Sequence, residues 1–301
     1  MTHALSIIIC TYDRYEALAQ AMEALVSSPG FSESDCEVLV VENTPEAKRE
    51  RIALPDAPNL RVDTCEETGL SAARNFGIEA TSGNIVAFLD DDALVCDNWS
   101  PEILRAFDHP DTLVVGGKVL PEYPTDRLPA WFDNKLSGYL SCIDWGPRAR
   151  RLRPGEWITG ANMAFRRSVF EEYGAFNTDL GRKGTSSLLS NDETALLEKV
   201  GMQRVLYYPD AWVRHLIPSG RLTPAWFRRR VYWQAVSDIV AGHNEQGGAE
   251  ARREYGQVIS RLEAEHRNLN GLFGEPRNYE QFALQLRAIY LAAIVFGAGG
   301  P

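Results

Sequence analysis

Three consecutive carboxylates, Asp90, Asp91 and Asp92, directly follow the apolar stretch "IVAFL". Adjacent carboxylates repel one another, so they are costly at the end of a buried strand unless a cation neutralises them. A hard divalent ion held by one or two carboxylates keeps open coordination positions, which diphosphate oxygens commonly fill. The triplet therefore predicts a site for a divalent cation and a diphosphate, although a solvated acidic turn would show the same residues.

Other polar side chains follow the neighbouring apolar runs. Thr11 and Tyr12 come after "LSIIIC", Glu42 comes after "VLVV", and Arg74 lies in the segment before "IVAFL". In an open parallel sheet, ligands bind outside the carboxyl ends of the strands. We therefore expect one crevice that contains an aromatic ring, an arginine and several carboxylates.

The elements that must position these residues alternate between strand and helix. Continuous apolar runs in "LSIIIC", "EVLVVEN" and "IVAFL" are typical of strands buried on both faces, and "NLRVDTC" indicates a shorter strand. "EALAQAMEALVSS" has apolar residues at helical spacing, and "SAARNFGIEATSG" has Ser71 as a predicted N-cap. This alternation predicts an α/β fold with a mostly parallel, Rossmann-like sheet and helices on both faces.

The pattern changes in the second part of the chain. Residues 120–156 are rich in Pro, Trp, Asp and Arg, which indicates a long functional excursion rather than a linker. "NMAFRRSVFEEYGAF" and "NDETALLEKVG" favour helix, and "QRVLYYPDAWVRH" favours strand. We therefore expect an α/β domain over residues 1–220 and a mainly helical extension over residues 221–301.

Composition narrows the class of protein. The formal net charge of -10 argues against nucleic-acid binding, and the five cysteines have neither disulfide-framework nor zinc-site spacing. The N-terminus has no secretory-signal pattern, and no apolar run reaches the ~20 residues of a membrane span. We expect a cytoplasmic protein, in which the apolar "AIYLAAIVFGAGG" forms a buried helix rather than an interfacial membrane helix.

Six segments occur in a characteristic order: "SIIICTYDR", "VVEN", "GLSAARNFGIEATSGNIVAFLDDDALVCDNW", "TGANMAFRRSVFEEYGAFNTDLG", "NDETALL" and "YYPDAWVRH". Together they resemble the family 2 glycosyltransferases, which have the GT-A fold, over roughly residues 4–220. The resemblance implies inverting transfer of a sugar from a nucleoside-diphosphate sugar to a hydroxyl acceptor, with manganese or magnesium as cofactor. It places donor binding in residues 1–119, and catalysis and acceptor recognition in residues 120–220.

The resemblance also assigns residues to the nucleotide. Thr11 and Tyr12 match the segment that lines the base, and Arg74 matches an arginine that contacts the nucleotide. Glu42 stands where the family usually has a base-binding Asp. UDP is the first expectation for the donor nucleotide, and this departure leaves dTDP and GDP open.

Asp90 and Asp92 match the two acids of the family's D-x-D motif. The resemblance makes Asp92 a direct metal ligand, together with His215 in "AWVRH". It places Asp90 and Asp91 against the nucleotide sugar, with Asp91 beside the ribose.

The catalytic base is assigned by the same comparison. The family commonly has Glu-Asp where this chain has Asn191-Asp192, so Asp192 inherits the role of base. Its neighbour Glu193 is the alternative, because both are acids at the start of a predicted helix. Negative charge is favourable at a helix N-terminus even without a catalytic role.

The sequence also gives candidates for contacts with the acceptor and with a membrane. Trp157 and Trp131 are acceptor-site candidates because their rings can stack on a sugar, with Asp133 behind them, although buried aromatics are as good an interpretation. Two basic clusters, at residues 148–153 and 228–230, are usual on solvated faces but also suit an anionic lipid surface or a lipid-diphosphate acceptor. "GRKGTSSLLSNDE" has the composition of a loop that closes over the donor.

Two other classes of function remain open. A nucleotidyltransferase on a similar sheet would carry a glycine-rich phosphate loop after the first strand, but "CTYDRYEALAQ" contains no glycine. A catalytically inactive nucleotide-sugar-binding protein or scaffold of polysaccharide assembly would be expected to have lost the acids. The D-x-D pair, the base candidate and the histidine are all present, which favours an enzyme.

Overall fold

The computed structural model describes residues 3–32, 34–53, 55–109, 111–184, 188–243 and 247–297. The chain divides into two compact units. The first unit comprises Met1–Glu122, Ser141–Gly184 and Asp192–Leu216. The second unit comprises Tyr123–Leu140, Thr185–Asn191 and Ile217–Pro301. The domain boundary expected at residue 220 stays a prediction.

The first unit is built on one sheet. Its strands are β1 (Leu5–Thr11), β2 (Cys36–Glu42), β3 (Leu60–Thr64), β4 (Ile85–Asp90), β5 (Ala93–Val95), β6 (Val114–Glu122), β7 (Arg150–Arg151), β8 (Asn162–Arg166) and β9 (Val205–Leu216). They lie in the order β3-β2-β1-β4-β8-β6-β9-β5, with β7 beside β9. The first four are parallel, whereas β8 is antiparallel to β4 and β6, and β5 and β7 are antiparallel to β9. The α/β class is confirmed, and antiparallel strands make the second half of the sheet mixed.

Helices cover this sheet. They are α1 (Tyr15–Val26), α2 (Pro29–Ser32), α3 (Leu70–Ala80), α4 (Trp99–Ala106), α5 (Ser168–Tyr173) and α6 (Asp192–Val200). Helix α3 packs on β1 and β2, where Ile8 and Phe88 join its apolar residues in one core. Because successive strand side chains point to opposite faces and Leu5–Ile9 are all buried, both faces of the sheet are covered.

Two local predictions are wrong. "NMAFRRSVFEEYGAF" starts with strand β8, whose Met163 and Phe165 enter the core, and helix begins only at Ser168. A short apolar run cannot be assigned to strand or helix by periodicity alone. Helix α3 begins at Leu70, so Ser71 is not its N-cap and instead donates its hydroxyl hydrogen bond to a neighbouring loop.

A buried asparagine joins the two halves of the sheet. The Asn162 side chain donates to the carbonyl of Ala211 at 2.8 Å and accepts from Trp99 Nε1 at 3.0 Å. The register of β6 against β9 shifts between Gly117 and Val119, and a Cβ on Gly117 would lie 2.2 Å from Asn162 Nδ2. The glycine therefore leaves the space in which Asn162 ties β8 to β9.

The second unit is helical. Its helices are α7 (Pro224–Val240), α8 (Gly247–Arg261), α9 (Leu269–Leu272) and α10 (Tyr279–Gly297), and α10 packs on α7 and α8. Arg228, from the basic cluster that was expected to suit a lipid surface, is buried and hydrogen-bonds Gln285 at 3.1 Å. That cluster is therefore not a uniformly exposed patch. Within the described ranges, every helix is too short or too polar to cross a membrane.

Glu37 gives the sheet a testable dependence on pH. It is buried and accepts hydrogen bonds from the Ser6 hydroxyl, the Ser82 backbone and Arg61. Burial opposes its ionisation, but these bonds outweigh burial and lower the pKa of Glu37 to about 2. Its stabilising contribution is therefore present above its ordinary pKa and is lost as the pH falls toward 2.

We predict that Glu37→Gln lowers the free energy of unfolding by about 2 kcal/mol at neutral pH, because charge-assisted hydrogen bonds are lost. Urea titrations at neutral and acidic pH measure the effect, and the difference from wild type should shrink below the ordinary pKa of Glu. Glu66→Gln is the matched control, since Glu66 is exposed in its pair with Arg49. Equal effects of the two substitutions would contradict the assignment.

Candidate active site

Asp92 and His215 meet in the interior of the first unit. Strand β5 follows Asp92 and pairs with β9 so that Ala93 lies opposite His215. The Asp92 Oδ1 and His215 Nε2 atoms are 3.0 Å apart, and neither side chain is more than 1% exposed. Burial opposes protonation of the imidazole, but the Asp92 carboxylate outweighs burial and raises the pKa of His215 to about 10. The fold thus brings together the two residues that the resemblance named as metal ligands.

The cluster fits a divalent cation. Asp90, Asp92 and His215 each offer one ligand atom, and these atoms lie within 4.8 Å of one another. The buried Nε2 of His215 faces Asp92 Oδ1 at 3.0 Å, but it forms no well-aligned hydrogen bond with any described residue. Buried polar atoms are nearly always satisfied, so an unsatisfied one suggests an additional ligand. Two carboxylates and one imidazole form a donor set that suits Mn²⁺ or Mg²⁺.

Arg14, which the sequence analysis left without a role, neutralises part of the acidic triplet. Its Nη1 donates to Asp91 Oδ1 at 2.8 Å and its Nη2 to Asp92 Oδ2 at 2.5 Å. Thr11 donates its hydroxyl to the other Asp91 oxygen at 2.8 Å. Burial raises the pKa of Asp91 to about 7, although Arg14 opposes the shift. The guanidinium of Arg14, in the "TYDR" segment, therefore places a positive charge beside the triplet.

Glu42 and Tyr12 lie at the same end of the sheet. Thr11 and Glu42 are register partners in the parallel pair of β1 and β2, and Tyr12 follows directly. Glu42 is 3% exposed, and its Oε1 accepts the backbone N–H of Thr44 at 2.9 Å. Its Oε2 has no hydrogen-bond partner among the described residues. This buried acceptor is placed to bind a donor from a ligand at the sheet end.

The buried guanidinium of Arg74 lies between the acidic triplet and the start of α6. Its Nη1 donates to Asp192 Oδ2 at 2.7 Å, and its Nη2 lies 4.0 Å from Asp90 Oδ1. It also lies over the rings of Phe88 and Phe176, at 5.9 Å and 5.4 Å from their centroids. One hydrogen bond therefore joins Arg74 and Asp192, which are 118 positions apart in the sequence.

Two glycines make room for this arrangement. A Cβ on Gly160 would lie 2.0 Å from Arg74 Nη2, so only glycine lets the guanidinium reach this position. Gly181 has a φ of 81°, and a Cβ there would lie 2.5 Å from the Ser71 hydroxyl. Residues 185–187 of the segment predicted to close over the donor lie outside the described residues.

Asp192 and Glu193 lie in different environments. Asp192 is 2% exposed and accepts hydrogen bonds from Arg74 and, at 3.1 Å, from Ser71. Burial opposes its ionisation, but Arg74 outweighs burial and holds the pKa of Asp192 below its ordinary value. The Glu193 side chain is 20% exposed, and burial together with Asp192 raises its pKa to about 8. The role of base expected for Asp192 stays a prediction, and the raised pKa of Glu193 makes this neighbour a second candidate for it.

The acceptor candidates fall in different places. Trp157 is 41% exposed on the first unit. Trp131 is only 7% exposed and packs edge-on against Phe282 in the second unit, so its ring has no free face for a sugar. Asp133 accepts the backbone N–H of Lys135 at 2.9 Å in a local turn. Of the three candidates, Trp157 alone keeps an exposed ring.

Comparison with known proteins identifies the family to which the chain belongs. The family model "Glycosyl transferase family 2" matches residues 6–174, which is more than half of the chain. A glucosyl-dolichyl phosphate glucuronosyltransferase of Haloferax volcanii is 28% identical over 244 residues, covering 78% of this chain and 76% of its own. The succinoglycan biosynthesis protein ExoM of Rhizobium meliloti is 27% identical over 74% of this chain and 70% of its own.

The fold also matches a solved structure. A mannosyltransferase of Pyrobaculum calidifontis, in complex with GDP-Man and Mn²⁺, superposes with a TM-score of 0.51 at 18% identity. The match covers all of this chain and 77% of the other. The mixed sheet with its helices is therefore a GT-A fold, followed by C-terminal helices. The chain belongs to glycosyl transferase family 2.

We predict that Asp192→Asn lowers the free energy of unfolding by about 3 kcal/mol, because it leaves the charge of Arg74 buried without its partner. Glu193→Gln, the adjacent and matched change, should leave stability unchanged or raise it, since the folded protein holds this carboxyl with a raised pKa. Denaturant unfolding of both variants measures the effects. A larger loss for Glu193→Gln than for Asp192→Asn would reverse the two roles.

Proposed function

We propose that this protein is an inverting, divalent-metal-dependent glycosyltransferase. It transfers a sugar from a nucleoside-diphosphate sugar, with UDP as the first expectation, to a hydroxyl of a saccharide or lipid-linked acceptor. One relative named above is a glucosyl-dolichyl phosphate glucuronosyltransferase and the other is a succinoglycan biosynthesis protein, and this supports a role in glycoconjugate or polysaccharide assembly. A cytoplasmic location with peripheral contact to the membrane is part of the proposal.

One observation carries the proposal: a single buried guanidinium stands between the metal-binding cluster and the acid pair. Arg74 lies 4.0 Å from Asp90 on one side, and 2.7 Å from Asp192 and 4.0 Å from Glu193 on the other. Glycosyl transfer needs a stabilised leaving diphosphate and a nearby proton acceptor. The metal-binding cluster and the acid pair could meet these needs, and both lie beside the guanidinium of Arg74.

Each residue of the site has a defined task in this proposal. Glu42 binds the nucleotide through its unpartnered carboxylate oxygen, with Thr11 and Tyr12 at the same strand ends. Asp92 and His215 hold Mn²⁺ or Mg²⁺, and Asp90 and Asp91 lie against the nucleotide sugar. When bound, the cation supplies positive charge for the leaving diphosphate.

The acid pair divides the catalytic work. Glu193 accepts the proton of the acceptor hydroxyl as that oxygen attacks the anomeric carbon from the side opposite the leaving group. Asp192, the base assigned from the resemblance alone, fixes Arg74 beside Glu193. A general base with a pKa near the working pH combines proton affinity with a sufficient ionised fraction.

We predict that one of UDP, GDP, dTDP, CDP or ADP stabilises the protein only together with Mn²⁺. A ligand at about 100 times its dissociation constant adds about 2.7 kcal/mol to the free energy of unfolding. Thermal unfolding across the panel, with and without Mn²⁺, measures the effect. Asp92→Asn should abolish it.

Asp210→Asn is the matched control, because Asp210 is an exposed acid on the same strand as His215. It should respond to the nucleotide and Mn²⁺ as wild type does. If Asp92→Asn were stabilised as strongly as this control, the metal-dependent donor site would be refuted, and an inactive scaffold would be the better interpretation.

We further predict that Glu193→Gln lowers kcat by about 10²- to 10⁴-fold, the range for loss of a general base. The rate of nucleoside-diphosphate release from the donor that the panel identifies measures kcat. Stabilisation by the diphosphate and Mn²⁺ should be unchanged, which separates catalysis from donor binding. Wild-type turnover in Glu193→Gln would return the role of base to Asp192.

A further inference from the structure

Trp157, an exposed residue of the first unit, contacts the partly buried Trp145. The ring centroids of Trp145 and Trp157 lie 4.9 Å apart with an interplanar angle of 77°. Trp145 Nε1 donates to the backbone carbonyl of Trp157 at 2.8 Å, which fixes one residue against the other. Trp157 nevertheless keeps 41% of its surface exposed. Trp157 therefore offers an exposed ring whose position is fixed by its neighbour.

The loop that carries the pair is held rigidly. Arg150 donates to both carboxylate oxygens of Glu156, at 2.6 Å and 2.7 Å, and also to the carbonyl of Trp145 at 3.0 Å. The backbone N–H of Trp145 donates to the hydroxyl of Tyr207, a fully buried residue of β9, at 3.2 Å. Arg150, one of the arginines first considered for a lipid surface, is therefore a brace of this loop. The rings need little reordering to bind a ligand.

Charged groups border the aromatic pair. Asp144, which precedes Trp145, is 46% exposed in its side chain and pairs with Lys118 Nζ at 3.1 Å. The Val119–Ile143 backbone bridge keeps these two residues side by side. A carboxylate and an ammonium can accept from and donate to hydroxyl groups, while an indole face covers C–H groups. Pyranose rings present both kinds of group together.

Both tryptophans are tethered to the candidate active site by three-residue connections. Cys142, three residues before Trp145, has its sulfur 3.9 Å from His215 Nδ1. Gly160, three residues after Trp157, lies against the Arg74 guanidinium. Because a chain spans at most about 3.6 Å per residue, each Trp Cα lies within about 11 Å of an anchor at the site. Each tryptophan is therefore separated from the candidate active site by one short segment.

We propose that Trp157, supported by Trp145 and bordered by Asp144 and Lys118, forms a subsite for a pyranose ring of the acceptor saccharide. The inference rests on the proposed function, since it identifies the acceptor as a glycan whose ring stacks on Trp157. The subsite positions the acceptor, and it takes no part in binding the nucleotide or the metal ion. Packing of one indole on the other is the alternative role, and it would leave saccharide binding unaffected by loss of Trp157.

Saturation-transfer NMR with methyl glycosides of glucose, galactose, mannose, N-acetylglucosamine and glucuronic acid tests the subsite. We expect at least one glycoside to bind wild type, and Trp157→Ala to weaken that binding about tenfold. Trp157→Phe, which keeps a ring, should retain most of it. Phe273→Ala is the matched control, because Phe273 is 58% exposed but belongs to the second unit.

Three results would overturn the subsite: wild type binds none of the glycosides, Trp157→Ala binds as wild type does, or the control loses binding equally. Stabilisation of Trp157→Ala by nucleoside diphosphate and Mn²⁺ is measured in parallel and should match wild type. If wild type fails that parallel measurement, the proposed function fails. If wild type passes it while Trp157 proves dispensable for glycoside binding, the subsite alone is wrong.

Discussion

The ion pair between the buried guanidinium of Arg74 and Asp192 is the interaction on which the candidate site depends. Arg74 lies under the sheet end with 4% of its side chain exposed, and burial of an unpaired charge there would cost several kcal/mol. Asp192 supplies the opposite charge. Because Asp192 is the first residue of α6, the start of this helix lies beside Arg74. Gly160 has to lack a side chain because the guanidinium occupies that space. Three segments far apart in sequence therefore meet around one guanidinium, and Glu193 lies beside it as the next residue of the helix.

The acidic triplet follows the same rule of paired charge. The repulsion among its three carboxylates at a strand end predicted a cation. The fold places two basic side chains beside them. Arg14 pairs with Asp91 and Asp92 at the outer side, while the buried imidazole of His215 faces Asp92 from β9. Asp90, Asp92 and His215 each offer one ligand atom within 4.8 Å of the others, as binding of a divalent ion requires. The site is therefore organised before any ligand arrives, which lowers the cost of binding.

Much of the sheet could be predicted from the sequence because β1, β2 and β4 are buried on both faces and read as continuous apolar runs. Strand β8 was missed because five residues do not distinguish strand from helix. The more deeply buried of Asp192 and Glu193 could not be identified from the sequence, since a rotation of about 100° per helical residue decides which carboxylate turns inward. Trp131 and Trp157 look equivalent in sequence, and only packing shows which ring is covered. Arg14 had a usable signal, because a basic residue closely follows the first strand end.

The position of a bound metal ion would show whether Asp92 and His215 form a metal site. Crystals grown with Mn²⁺ and the nucleoside diphosphate that stabilises the protein can be measured at the manganese absorption edge, where anomalous scattering locates the ion. We expect one strong peak within coordination distance of Asp92 and His215, with diphosphate oxygens completing its shell. A diphosphate bound at the sheet end with no peak there, or a peak held by other residues, would contradict this expectation.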